Sequence, residues 1–177
     1  MRKGEASLGL YVLSCKAGQE ETLIRFCKQH LSGKAMEDTF QFSYERMKKY
    51  LGEWHTDRCP LFPGDIFFQS QEPEHLAEEL RNCRTITEAL ASDKLLFAVS
   101  PEEEACLQIL CGEEHLLALS QGTLQKDGTF TVLHGPLKGR ESWIRKVDLH
   151  KRVAVLSLVK PGSDRAIWAG IDLKKDK

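Results

Sequence analysis

After Leu119 the helical patterning of this chain stops. Ser120-Gln121-Gly122 opens a stretch punctuated by glycine, in which residues 129–134, 142–147, 152–159 and 165–173 each read as a short strand. Turns fall at Gly135–Gly139, Asp148–Lys151 and Pro161-Gly162. Closely spaced short strands with glycine turns are the pattern of a small β-barrel. Charge divides at the same place. Residues 121–177 hold 12 Lys/Arg and 6 Asp/Glu, a net of +6, whereas residues 1–120 hold 13 and 20, a net of −7. An acidic front and a basic tail inside a near-neutral chain of 177 residues point to a C-terminal part that faces nucleic acid.

The front half alternates strands and helices. Residues 8–15 are apolar and β-branched and end at Lys16-Ala17-Gly18, which predicts a core strand. A helix is predicted over about 19–31, with Leu23, Ile24, Cys27 and Leu31 at helical spacing and Glu20-Glu21 at its N-terminal dipole. Residues 33–60 read as an extended hairpin or long arm. Pro60-Leu61-Phe62-Pro63-Gly64-Asp65 then makes a stiff turn that holds Phe62 at a surface bend and leads into the short strand Ile66-Phe67-Phe68. A second helix is predicted over about 73–83, a strand over 95–99, and a third helix from the cap Ser100-Pro101-Glu102-Glu103 to Gly112. The whole predicts an α+β chain: residues 7–119 as one domain, 120–125 as linker, and 126–177 as the barrel.

Several classes of function are excluded by what the pattern lacks. The six cysteines form no C-x-x-C pair, and His55-x3-Cys59 is half a metal site without a second half, so no metal is expected and the thiols read as reduced core residues. Arg2-Lys3, Leu8–Leu13 and Cys15 imitate a lipoprotein signal, but the apolar part is too short and Glu5 sits among the cations. No run approaches the roughly 18 apolar residues of a membrane span. A cytoplasmic monomer is expected. No G-x-S-x-G, H-E-x-x-H, G-x-x-x-x-G-K-[ST] or G-x-G-x-x-G occurs, so neither catalysis nor a cofactor is expected.

The informative cations are Lys138, Arg140, Arg145, Lys146, His150, Lys151 and Arg152. They gather around two turns joined by one strand, and a small barrel would present them along one edge, where they would neutralise phosphates. The alternative is a solvated rim. Trp143 and Trp168 read as core residues before they read as base-stacking ones.

At these residues a resemblance appears. Leu10-Tyr11-Val12-Leu13, Gly18-Gln19-Glu20 with its helix, and Pro60-Leu61-Phe62-Pro63-Gly64 resemble the N-terminal (NGN) domain of NusG-type transcription elongation factors. His134-Gly135-Pro136-Leu137-Lys138-Gly139-Arg140 through Ile144-Arg145-Lys146-Val147-Asp148 is similar to the KOW motif that follows it, and the run Lys146–Arg152 looks closest to LoaP-type paralogs. The resemblance covers nearly the whole chain. It implies an NGN-like α/β sandwich, an antiparallel sheet with three helices, followed by an SH3-like KOW barrel.

The function implied is processive antitermination without catalysis. The N-terminal domain would bind RNA polymerase at the clamp helices of its largest subunit, near upstream-fork DNA, and the KOW edge would bind a leader RNA hairpin. By position, Tyr11, Phe62, Pro63 and Phe67 match the family's polymerase-facing framework, while Lys16 and Gln19 match residues that approach DNA. Two departures stand out: Asp65 follows Phe-Pro-Gly where tyrosine is usual, placing a charge in the polymerase-binding set, and Leu10 stands where tryptophan is common. The alternatives are a general NusG-like pausing and coupling factor and a ribosome-associated KOW protein that binds RNA alone.

Overall fold

The apolar run at the front forms β1 (Gly9–Ser14), and one turn later α1 (Glu20–His30) begins with Glu20 and Glu21 in its first turn. This is a computed structural model describing residues 7–174. The Arg2-Lys3 and Glu5 positions weighed above as part of a signal lie outside the described residues. After β2 (Asp38–Phe40), the expected arm is a tight hairpin of β3 (Ser43–Tyr50) and β4 (Glu53–Pro60). Its two-residue loop has positive φ at both Leu51 (51°) and Gly52 (81°), the turn whose twist matches that of the flanking strands. Glycine adopts this freely, whereas Leu51 does so at a steric cost and is 86% exposed.

β5 (Asp65–Ser70) is followed by α2 (Pro73–Arg81) and α3 (Arg84–Ala89). Two helices thus replace the one expected over 73–83. α2 ends at Arg81, and Cys83 becomes the extended residue that opens α3. A six-residue helix burying only Ile86 and Ala89 has too few turns to show a period in sequence. Of the predicted strand 95–99, β6 (Phe97–Ala98) pairs with β1. In α4 (Pro101–Cys111), Glu103 N–H donates to Ser100 Oγ at 3.2 Å and Ser100 N–H donates to Glu103 Oε1 at 3.3 Å, the reciprocal cap that the sequence predicts. The chain continues through β7 (Leu116–Leu117), β8 (Ser120–Leu124), β9 (Phe130–His134), a 3-10 turn (Glu141–Trp143), β10 (Ile144–Asp148), β11 (Val153–Val159) and β12 (Ala166–Leu173). The described residues form a mixed α+β protein.

Two compact units result, one built from residues up to Gln41 with Phe62–Glu104, the other from Phe42–Leu61 with Ala105 onward. In the first, the sheet order is β2-β5-β1-β6, with every pair antiparallel. Leu13, Ile66 and Phe68 on one sheet face pack with Leu23 and Cys27 of α1, Leu76 and Leu80 of α2, and Ile86 of α3. Each fully buried Leu, Ile or Phe there contributes about 1.5–3 kcal/mol of transfer free energy.

In the second unit the order is β10-β11-β12-β8-β9, with β12 and β8 parallel and the other pairs antiparallel. Residues 120–125, expected as linker, therefore hold a strand: Ser120 and Gly122 are buried and β8 joins two neighbours. Hydrophobic patterning could not show this, because the strand is mostly polar and is held by backbone pairing. The hairpin belongs to this unit as well. β3 crosses β12 at Gly170, where a Cβ would stand 1.9 Å from the Glu45 carbonyl oxygen, so only glycine permits the approach.

Candidate nucleic-acid interface

The turn between β10 and β11 carries the densest group of cations. Asp148 closes it by accepting the Lys151 backbone N–H at 3.0 Å. That bond, with the Lys151 charge beside it, holds the carboxyl below its ordinary range. Leu149, His150 and Lys151 are left exposed, and Arg152 takes a left-handed backbone at φ 55°. On β10 the register slips between Ile144 and Lys146, making Arg145 a bulged residue. The bulge lets Arg145 and Lys146 both face solvent while Ile144 is half-buried.

Across the sheet, Lys146 pairs with Val155 and Val155 with Trp168, so the three share one face. Trp168 is 38% exposed, and Lys151 Nζ lies 5.0 Å from its ring centre. The expectation of a core tryptophan is corrected at Trp168, which lies on β12 before the hairpin's crossing at Gly170 and keeps part of its ring in solvent. Arg152, the next residue of the turn, stands 4.8 Å over Trp54 of β4, and Lys49 of β3 lies 5.9 Å from the same ring. The two cations of one turn therefore each rest on a different tryptophan. Cation–π contacts of this kind hold a long side chain in place while its charge stays open to phosphate.

The other cations stand differently. Lys138 is exposed in the loop after β9. Arg140 donates to the Pro136 carbonyl at 3.1 Å and lies 5.8 Å from the half-buried Trp143, so it is tied to its own loop. Trp54 and Lys49 are what reading the sequence missed. The signal was present in Lys48-Lys49-Tyr50 and Trp54-His55, basic and aromatic residues flanking a Leu-Gly turn, but the arm gave no sign that it returns to β12.

The residues proposed to face polymerase are not gathered on one surface. Tyr11 pairs with Phe68 on the helix-covered face, whereas Phe67 pairs with Val12 and points to the opposite face. Phe62, expected at a surface bend, is 3% exposed and packs 5.8 Å from the fully buried Phe67. Of the turn Pro60 and Pro63 are exposed; Tyr11 is half-buried. Asp65 is 2% exposed and, directly across from Ser14 in the register, accepts that hydroxyl at 2.9 Å. The charge that looked like a misplaced anchor is an internal hydrogen-bonding residue. The buried Glu20 accepts the Gly64 N–H at 2.6 Å and the Gly18 N–H at 2.8 Å, pinning the turn to the start of α1. Lys16 and Gln19 are exposed near one another in the β1–α1 turn, where Gln19 N–H donates to the Lys16 carbonyl at 3.2 Å.

All six cysteines are free thiols. Burial, then the charges of Glu20 and Asp65, pushes Cys15 up to about 11, and burial pushes Cys27 and Cys111 up to about 12. His55 and Cys59 sit four residues apart on β4, roughly 13 Å along a strand, too far to share one ion. Among the described residues no helix is long and apolar enough to cross a membrane. No protein-family model matches the chain, and no curated protein matches it either.

Proposed function

We propose that the chain is a NusG-type transcription elongation factor that acts as an antiterminator, with an NGN-like first part and a KOW-type barrel that binds a leader RNA hairpin. The observation that carries the RNA half is the surface made by Lys146, Lys151, Arg152, Trp168 and Trp54. An exposed Lys151 on Trp168 and a half-buried Arg152 on Trp54 suit a ligand that offers phosphates and base faces together. A surface for docking protein would instead be an apolar patch. The motif resemblance supplies the polymerase half. Burial of Phe62, Phe67 and Asp65 leaves Tyr11 and Pro63 as its accessible members in the first unit. On this reading RNA recruits the factor and polymerase contact retains it.

The test is transcription in vitro through an intrinsic terminator, with and without the leader on the template. Read-through that needs both protein and leader is the expected result. Unchanged termination on both templates, with polymerase still bound, would favour a general pausing factor. Binding to RNA with none to polymerase would favour a ribosome-type KOW protein.

A further inference from the structure

Within the second unit a cavity of about 530 Å3 opens beside the basic turn, lined in part by Met47, Trp54, Leu124, Arg152, Asp172 and Lys174. This is within the size of ordinary small-ligand sites. Along β12, Trp168, Gly170 and Asp172 alternate onto one face. The hairpin crosses at Gly170, so Trp168 lies before the crossing and Asp172 after it.

Three features of the cavity go beyond general affinity for phosphate. It brings an indole and two apolar side chains, Met47 and Leu124, into one lining. The Arg152 Nε is buried with no hydrogen-bond partner, and its guanidinium rests on Trp54. Among the described residues no ion pair joins Asp172 to Arg152 or Lys174, although all three line the same space. A carboxylate with no ion pair among the described residues can accept from a ligand, and beyond its buried Nε the Arg152 guanidinium carries further N–H donors that suit a phosphate.

We propose that this cavity takes one unpaired guanine nucleotide of the bound RNA. Its base lies against Trp54, Met47 and Leu124, its N1–H and N2–H donate to Asp172, and its phosphates face Arg152 and Lys174. Guanine is singled out because its Watson–Crick edge offers two adjacent donors to one carboxylate. Adenine and cytosine set a ring acceptor beside their amine, and uracil flanks its single donor with two carbonyl oxygens. In a duplex the guanine edge is already paired, so the site reads a bulge or loop. The proposal rests on the RNA-binding reading above.

The test uses the full chain and fluorescein-labelled RNA hairpins of one stem sequence, carrying an unpaired guanine, an unpaired adenine or no unpaired base, by anisotropy at one salt concentration. The guanine hairpin should bind about tenfold tighter than the other two. Asp172→Asn should bring the ratio of guanine-hairpin to adenine-hairpin affinity down to about one. Trp54→Phe should retain the preference, and Trp54→Leu should lose it with the circular dichroism spectrum intact. Equal affinity for the three hairpins would overturn the pocket and leave RNA binding standing. Absence of binding to all three would overturn the RNA reading and the pocket with it. Guanosine monophosphate competing at the hairpin's own Kd would overturn the RNA assignment in favour of a free nucleotide.

Discussion

The turn over Pro60–Asp65 and the turn over Asp148–Arg152 both join a strand to a strand with charged and bulky residues, yet they are used in opposite ways. The first folds inward. Phe62 packs on Phe67, Asp65 takes the Ser14 hydroxyl, and the Gly64 N–H reaches Glu20, leaving the two prolines Pro60 and Pro63 outside. The second folds outward. Asp148 spends its carboxylate on the turn's own N–H group, and the cations either reach solvent or rest on tryptophans. A carboxylate is buried where the neighbouring strand offers a donor directly opposite, and a cation stays out where the sheet ends with no acceptor over it. Residue type alone therefore does not tell an anchor for a partner from a peg in the core.

The sharpest way to break this contrast is Phe62→Ala, which should cost about 3–5 kcal/mol of stability in urea unfolding because it empties a packed aromatic site. Unchanged stability with lost polymerase binding would restore Phe62 as an exposed anchor. At the outward turn, Lys146→Glu with Lys151→Glu should weaken binding to a structured RNA by about a hundredfold, ~2.7 kcal/mol, with stability within about 0.5 kcal/mol of the parent. The slope of log affinity against log salt should also shrink, since two phosphate contacts are removed. An unchanged gel shift would make the turn a solvated rim.

Gly170→Ala tests whether the hairpin and sheet of the second unit form one piece. It should lower stability by about 1–3 kcal/mol, read as a thermal shift, since the backbone of β3 must move aside. The smallest effect concerns the thiols. At pH 8, Cys15, Cys27 and Cys111 should resist iodoacetamide in the native protein and react in urea, as intact mass will show. Their folded values of about 11 to 12 lie above the ordinary 9.0, so their stabilising contribution is complete below about 9 and is lost as pH rises through 11 and 12.

Much of the secondary structure was legible because it depends on local chemistry. β1, α1, the capped α4 and the strands after residue 129 follow from periodicity, N-terminal carboxylates and glycine turns. α3 was not legible, being too short for its period to register, and neither was β8, whose polar residues are held by strands far away in sequence. The site was half legible. Its cations stood out as a cluster, but Trp54 and Lys49 join it only because the hairpin crosses Gly170.

What the sequence determined by itself is the division of labour: an acidic, helix-bearing front, a basic stretch of strands, and the capping, turn and charge patterns that each segment satisfies with its near neighbours. Only the tertiary structure decided which conspicuous side chains face inward. The burial of Phe62 and Asp65, the exposure of Trp168 and the meeting of Trp54 with Arg152 all depend on strand register and on one close backbone approach. Register moves every side chain of a strand from one face to the other with a shift of one residue, and no local pattern around these residues specifies it.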